Sequence, residues 1–163
     1  MVAKTHVFFQ DYKLYLGIFT SGAAKSNKID ISWDPTKTTI TSAVLDGEIW
    51  AQEGTCANIV FNGEEIFGVD ASLTPGGNGL TASKDVTGYL KNGINEVVIS
   101  VWKSPLPVWL DKRGEFTAIL TITFEGTDPN IEPWWKKYLL PVGVGAASLI
   151  GGIGIALLAM RRR

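Results

Sequence analysis

The feature that most limits how this chain can fold is a run without any charged residue near its C-terminal end, from Tyr138 to Met160. As a helix these residues would span about 34 Å, more than the hydrocarbon core of a bilayer at about 30 Å. Three consecutive arginines follow, and a buried helix in a soluble core rarely needs so long an uncharged run with such an ending. The run therefore predicts one transmembrane helix over 138–160 and a basic tail at 161–163.

The residues on both sides of this run fit a membrane interface. Tryptophan and tyrosine concentrate where a bilayer meets water, and lysine and arginine reach the headgroups from there. The predicted interface anchors are Trp134, Trp135, Lys136, Lys137, Tyr138, Arg161, Arg162 and Arg163. We expect a single-pass, C-terminally anchored protein of a cellular or virion membrane, with the lipid bilayer as its first partner.

The side of the membrane that carries the N-terminal part is left open by two opposing arguments. Gln10, Asp11 and Lys13 interrupt the early apolar residues, so no signal peptide is predicted and the N-terminal domain would stay where it is made. Lys136 and Lys137 against three arginines slightly favour an inward C-terminus instead.

Small residues repeat every four positions along the predicted helix, in two adjacent stripes. The predicted packing face consists of Gly143, Ala147, Gly151, Ser148, Gly152 and Ala156. Small side chains at this spacing let two helix backbones approach closely in lipid. The alternative is that glycine and alanine are simply common in membrane spans. We expect the partner to be another membrane helix or a second copy of this one.

Charge and composition exclude several classes of function for the part before the helix. Without the three terminal arginines, the 15 basic residues fall to 12 against 16 acidic ones. A nucleic-acid partner is therefore not predicted, since it requires a basic face. The single cysteine excludes an intrachain disulfide. Abundant Thr, Val, Ile, Gly and aromatic residues favour strands.

The first 126 residues show alternating apolar and polar side chains separated by turn signals. The segments 28–33 and 95–103 alternate with a period of two, and Asp46-Gly47 and Asn62-Gly63 are typical of hairpin turns. Further predicted strands are 5–10, 13–19, 38–45, 48–52, 57–61, 64–68 and 115–125, with loops at 21–27, 72–83 and 105–114 and a short turn at 86–91. The predicted core consists of Ile29, Ile31, Val44, Ile59, Phe61, Val97, Ile99, Val101, Leu120, Ile122 and Phe124.

About eight strands with turn signals at this spacing, and no amphipathic helix, predict an all-β fold. We expect an antiparallel β-sandwich of jelly-roll type over 1–126, since a jelly roll has this number of strands. A juxtamembrane linker over 127–137 would connect it to the helix.

One stretch resembles a known family. Ile59-Val60-Phe61-Asn62-Gly63 is followed by DVTGYLKNGIN at 85–95 and by VVISV at 97–101. This order resembles the galactose-binding-like jelly-roll domains that serve as sugar-binding or accessory modules of large glycoside hydrolases. The resemblance covers 38–102 and concerns the scaffold. It implies a jelly roll, a non-catalytic role, and in some members a structural calcium ion.

Local turn and capping interactions also explain the residues of this stretch. Asn62-Gly63 suits a tight hairpin, Asp85 can cap the turn that follows it, and Gly93 can redirect the chain. Asn95 can hold the same turn by bonding to backbone groups. These are roles in the scaffold.

No catalytic constellation is evident. His6 and Cys56 are too few for a zinc site or a nucleophile–base arrangement, and we expect both to be ordinary strand residues. Glu64 and Glu65 are adjacent, whereas a glycosidase needs carboxylates that face each other across a cleft. No metal site or cofactor is predicted. A calcium ion held by Asp70 and loop carbonyls is the alternative that stays open.

Aromatic and apolar residues are the better candidates for a surface function. The candidate interaction residues are Trp50, Trp102, Val108, Trp109 and Leu110. The alternation of β residues places Trp102 on the face opposite Val101. The last three residues form an apolar row in the loop 105–114, which is typical of an interaction surface.

Three functional hypotheses follow. The first is a non-catalytic structural protein that packs against copies of itself or other subunits, either as a membrane- or capsid-associated protein of a virion or in a larger membrane complex. The second is a membrane-anchored carbohydrate-binding or adhesion module that binds glycans through exposed tryptophans. The third, an enzyme, would need a carboxylate pair that only the fold could bring together.

Overall fold

The computed structural model describes residues 1–103 and 111–134. Its first compact unit is 1–132. The strands are β1 Val2–Leu16, β2 Gly22–Ser32, β3 Thr38–Ala51, β4 Thr55–Phe61, β5 Glu64–Asp70, β6 Asn78–Asp85, β7 Gly93–Lys103, β8 Lys112–Gly126 and β9 Asn130–Pro133. A single turn of 3₁₀ helix spans Thr87–Tyr89.

The strands form two antiparallel sheets. One has the order β1-β8-β3-β6 and the other β5-β4-β7-β2-β9. The pairs β1·β8, β2·β7, β3·β6 and β4·β5 are nested, as if one long antiparallel ribbon were folded over itself. This nesting is the strand order of a jelly roll. The predicted all-β, antiparallel sandwich is confirmed, with nine strands.

The core lies between the two sheets and is made by every second residue of the central strands. Ten of the eleven predicted core residues are buried, among them Phe61, Ile99 and Leu120, whose side chains have no exposed surface. Val44 is the exception and is half-buried. In β3 the inward positions are instead occupied by Ala43, Leu45 and Ile49.

The predicted hairpin at Asp46-Gly47 is wrong, because β3 runs without interruption through both residues. Gly47 faces the opposite sheet, where a Cβ atom would come within 2.4 Å of the Phe67 ring. The glycine therefore makes room for an aromatic side chain and does not mark a turn. Turn propensity was overridden here by packing between the sheets.

Two more segments were predicted incorrectly at the N-terminal strands. Residues 5–19 hold one strand, not two, and Gln10-Asp11 is a bulge: the register shifts between Phe9 and Tyr12, and Asp11 has φ of +49°. Residues 22–27 of the predicted loop 21–27 belong to β2, where they pair with β7.

Two segments further along also differ from their predictions. Much of the predicted loop 72–83 is strand β6, an exposed edge strand whose composition lacks the apolar alternation of a half-buried strand. Asn130–Pro133, predicted as linker, is strand β9 in the five-stranded sheet. Ile131 there packs against the core.

The turn chemistry predicted for the DVTGYLKNGIN stretch is confirmed. Asn62 and Gly63 have φ of +51° and +94°, as a two-residue hairpin turn requires. Asp85 Oδ1 accepts hydrogen bonds from the backbone N–H and the hydroxyl of Thr87, at 2.8 and 2.6 Å. Gly93 has φ of +136°, and buried Asn95 bonds to the backbone of Lys91.

The predicted transmembrane helix 138–160 and the basic tail lie outside the described residues. The same holds for the packing face Gly143, Ala147, Gly151, Ser148, Gly152 and Ala156, and for the anchors Trp135, Lys136, Lys137, Tyr138, Arg161, Arg162 and Arg163. Trp134 is the last residue described. Within 1–103 and 111–134, no helix has the length and apolar character needed to cross a membrane.

Candidate functional site

Trp102 lies at the end of β7 on the outer face of the five-stranded sheet, where the alternation with buried Val101 predicts it. Its cross-strand neighbours are Gly22 on β2 and Cys56 on β4. Both are small, so the indole keeps 38% of its surface exposed. The Trp102 ring therefore forms a flat aromatic surface between two small neighbouring residues. Its role in binding stays a prediction.

A shallow concavity of about 400 Å³ adjoins this indole. It is lined by Trp102, Cys56, Ala57, Glu65, Gly68, Val69 and Asp70. The carboxylate of Glu65 is oriented by Asn58, whose Nδ2 donates to Glu65 Oε2 at 2.7 Å. The concavity therefore places hydrogen-bond acceptors beside an aromatic ring, the usual composition of a small-molecule site.

Asp70 is the second carboxylate of the concavity. Its Oδ1 accepts a hydrogen bond from the Ser72 backbone N–H at 2.8 Å and one from the Cys56 thiol at 3.4 Å. The hydrogen bonds from Ser72 lower the pKa of Asp70. Burial, followed by the hydrogen bond and the charge of Asp70, raises the pKa of Cys56. The carboxylate is thus ionised and the thiol protonated at neutral pH.

A calcium ion held by Asp70 and loop carbonyls stays a prediction that the described part of the chain, 1–103 and 111–134, does not test. In that part, no group of three or more His, Cys, Asp or Glu side chains could hold a metal ion. Asp70 Oδ1 is used to fix the start of the β5–β6 loop through Ser72.

Trp50 lies on the other sheet, so the structure does not bring it together with Trp102. It is half-buried on β3, and the Arg113 guanidinium is 5.6 Å from its ring centroid. A Cβ atom at Gly77 would come within 2.9 Å of the ring. Trp50 therefore packs beneath the β5–β6 loop and Arg113, with little of its ring face free. Val108, Trp109 and Leu110 lie outside the described residues.

The remaining titratable candidates are dispersed. His6 is half-buried on β1 and makes an edge-on contact with Phe8, with ring centroids 4.9 Å apart. Burial lowers the pKa of His6. Glu64 is exposed at the β4–β5 turn, whereas Glu65 faces the concavity beside Trp102. The side chains of the two adjacent glutamates therefore do not face each other, as predicted from the sequence.

A second candidate surface, at one end of the sandwich, was not predicted from the sequence. The turns 17–21, 52–54 and 71–77 lie together at one end of the sandwich, named here the loop end. Lys103 Nζ donates to the carbonyls of Gly17 and Ile18 at 2.8 and 2.9 Å, and the Gly54 N–H donates to the Ala71 carbonyl at 2.9 Å. Residues 104–110, between β7 and β8, lie outside the described residues.

The loop end exposes large apolar side chains. Phe19 is 98% exposed, Leu73 79% and Ile18 49%. Sequence reasoning placed Ile18 and Phe19 in a strand and Leu73 in a loop without a role. One sequence feature could have indicated this exposure. Two large apolar residues, Ile18 and Phe19, stand directly before the polar residues Thr20 and Ser21.

The connection from β8 to β9, residues 127–129, lies at the opposite end of the sandwich. Thr38, at the start of β3, donates from Oγ1 to the Thr127 carbonyl at 2.6 Å. Lys4, near the start of β1, forms an ion pair with Asp128 at 2.9 Å. Both strands end at or near the loop end, so residues 127–129 lie away from Phe19.

No protein-family model matches this chain, and no curated protein matches it. Among solved structures, one of infectious bursal disease virus, Gx strain, matches at 15% identity and a TM-score of 0.45, over 81% of this chain and 36% of that one. The VP2 subviral particle of that virus matches at 15% identity and a TM-score of 0.42, over 99% and 49%.

A family 35 carbohydrate-binding module from an environmental isolate matches at 16% identity and a TM-score of 0.31, over 69% of this chain and 71% of the module. This chain spans between about a third and a half of the two virus chains. Similarity of this size identifies neither a family nor a function.

Proposed function

We propose that this protein is a non-catalytic structural or assembly protein, held on a membrane by one C-terminal helix over 138–160, which presents its jelly-roll domain to protein partners. The uncharged run of the sequence supports the anchor. Such a chain suits a lipid-containing virion, as a membrane- or capsid-associated protein, or a subunit of a larger membrane complex.

The observation that carries the assembly role is the exposure of Phe19 at the loop end. Burying an exposed side chain of this size stabilises a contact by about 1.5–3 kcal/mol. Single exposed apolar residues are ordinary on protein surfaces. Here Phe19 and Leu73 come from two different loops at the same end, with exposures of 98% and 79%. Both side chains are therefore accessible to a partner at this end of the sandwich.

The test is the native mass of the full chain after gentle extraction from its source membrane, with identification of the chains that copurify. We expect a large particle of fixed stoichiometry. The double substitution Phe19→Ser and Leu73→Ser should reduce that mass. Tyr89→Ser is the matched control, because Tyr89 is 41% exposed in the 3₁₀ turn at the opposite end. A lone monomer, or a particle that the double substitution leaves unchanged, would contradict the proposal.

The second candidate is a membrane-anchored carbohydrate-binding module, supported by the surface around Trp102. A sugar ring presents an apolar face that can pack on an indole, and its hydroxyls can donate to the carboxylates of Glu65 and Asp70. Trp102→Ala should abolish any glycan binding by the full chain on an array. Tyr15→Ala should leave it intact, since Tyr15 is an exposed aromatic residue of the other sheet. Absence of binding to every glycan on the array would count against this candidate.

A further inference from the structure

The two sheets have four edge strands in the described part of the chain: β1, β6, β5 and β9. An unprotected edge offers backbone donors and acceptors to another strand, and proteins usually block it with bulges, charges or proline. β1 has two register shifts and carries Lys4 and Lys13. β5 has a shift opposite Ile59 and Val60 and begins with two glutamates. β9 has four residues and ends at Pro133. Three of the four edges are thus protected.

β6 has neither a bulge nor a proline. Its eight residues pair with Val44–Ala51 of β3 without a register shift. It contains no proline, and its only charged residues are the last two, Lys84 and Asp85. Seven of its eight residues are exposed. Within residues 1–103 and 111–134, no strand pairs with its other side.

The pairing with β3 determines which backbone groups of β6 face the free edge. The N–H of Val86, directly after the strand, donates to the Ala43 carbonyl at 2.8 Å. Hydrogen-bonded and non-hydrogen-bonded pairs alternate in an antiparallel ladder. Residues 80, 82 and 84 therefore bond to β3, and Thr81 and Ser83 direct their N–H and C=O groups outward. The Gly79 N–H, which also faces the edge, is occupied by Asn78 Oδ1 at 2.9 Å.

We propose that β6 pairs antiparallel with β6 of a second copy of this chain, about a two-fold axis at Ala82. Thr81 of each copy then lies opposite Ser83 of the other, and the two residues exchange both backbone hydrogen bonds. The two four-stranded sheets become one continuous sheet of eight strands. A two-fold interface of this kind uses the same surface on both copies.

The side chains of β6 complement themselves in this register. Leu80 lies opposite Lys84 of the other copy, so that the lysine stem covers an apolar side chain that is 36% exposed in the single chain. Asp85 lies opposite Gly79, and Ala82 meets Ala82 at the axis, where two small residues allow close approach. No like charges are opposed.

Antiparallel pairing of β5 with β5 of a second copy would not be favourable. Antiparallel pairing about its central residue, Phe67, would place Glu64 opposite Asp70, and like charges directly across a ladder destabilise it. Pairing about the central residue therefore suits β6 and disfavours β5. This is why the occupant inferred is a second copy and not an unrelated strand. The inference does not rest on the assembly role proposed for the loop end.

The first experiment measures dimerisation of the full chain in detergent by sedimentation at increasing concentration, with Leu80→Lys and Leu80→Glu as a matched pair. Leu80→Lys places two lysines opposite each other twice per dimer and should raise the dissociation constant about tenfold. Leu80→Glu faces Lys84 and should keep the dimer. Adding Lys84→Glu to Leu80→Lys should restore it. Circular dichroism checks that all variants keep the fold.

The second experiment tests the register. Ala82→Cys, in a chain with Cys56→Ser, should form a disulfide-linked dimer under mild oxidation, since two Cα atoms in such a pair lie about 4.5 Å apart. Tyr15→Cys, on the far edge strand β1, should not. A monomer at all concentrations, equal dimerisation by both Leu80 variants, or no cross-link at Ala82 would overturn the proposal. A particle altered by Phe19→Ser but not by Leu80→Lys would assign assembly to the loop end alone.

Discussion

Asn62 Nδ2 donates a hydrogen bond to Asn95 Oδ1 across 2.8 Å, and this contact ties the β4–β5 turn to the start of β7. Asn62 also accepts the N–H of Glu96 at 2.9 Å and donates to the Tyr89 carbonyl at 2.7 Å. Asn95, with no exposed surface, donates to the carbonyls of Lys91 and Gly93 at 2.8 and 2.9 Å. Two side-chain amides thus organise the end of the sandwich opposite the loop end.

Asn95→Ala should destabilise the domain strongly, because it removes the partner of the Lys91 N–H, of the Lys91 and Gly93 carbonyls and of Asn62 Nδ2. We expect a loss of about 3 kcal/mol in the free energy of unfolding, measured by denaturant titration of the full chain in mild detergent. Asn130→Ala is the control, since Asn130 is exposed on β9 and should change the free energy by less than about 0.5 kcal/mol. Equal effects of the two substitutions would show that the amide network is dispensable.

Gly47→Ala should destabilise the domain through a steric conflict with one side chain. The added Cβ would come within 2.4 Å of the Phe67 ring, which must move. Overpacking of this kind costs about 1–3 kcal/mol. In the presence of Phe67→Leu, which removes the ring, Gly47→Ala should cost clearly less, and a double-mutant cycle measures that coupling. Additive effects would contradict the steric explanation.

His6 should make stability depend on pH near neutrality. Burial lowers the pKa of His6 below its ordinary value of 6.5. As the pH falls through 6.5, the unfolded chain therefore takes up a proton before the folded one, and stability decreases until the lowered folded pKa is passed. Above 6.5 this contribution is fully retained. His6→Gln should flatten the dependence of the unfolding midpoint on pH in this window, and an unchanged slope would assign the dependence to other groups.

The predicted packing face of the membrane helix can be tested with bulky substitutions. Gly143, Ala147 and Gly151 replaced together by leucine should prevent close approach of two helices in lipid and reduce the mass of the native particle. Leucine at Val142, Ala146 and Ile153, which lie on the other side of the predicted helix, provides a triple substitution outside this stripe as a control. An unchanged particle size for the first triple variant would contradict a role of the small residues in assembly.

Turns that depend on backbone conformation were predictable from sequence. Asn62-Gly63 requires positive φ at both positions, which few residue types tolerate, so the dipeptide alone indicates the hairpin. Asp85, Gly93 and Asn95 act on groups within a few residues along the chain. Their roles were therefore visible without knowledge of the fold.

Features set by distant contacts were not predictable in the same way. Asp46-Gly47 has the sequence of a turn, but Phe67 on the other sheet determines that Gly47 is needed in a strand. β6 lacks apolar alternation because it lies at an edge, and only its pairing with β3 makes it a strand. The exposure of Phe19 and the accessibility of Trp102 likewise depend on which residues the topology places beside them.

The nested pairing of the strands has a kinetic consequence. The β4–β5 hairpin joins residues that are close in sequence, whereas Val2 of β1 pairs with Phe124 of β8. Because closure of longer loops costs more entropy before any contact forms, we expect the ribbon to assemble from the Asn62-Gly63 turn outward, with β1 and β8 last. A nascent chain would therefore carry β1 as an unpaired strand for most of its synthesis, and the lysines and bulges of that strand would limit its aggregation during this time.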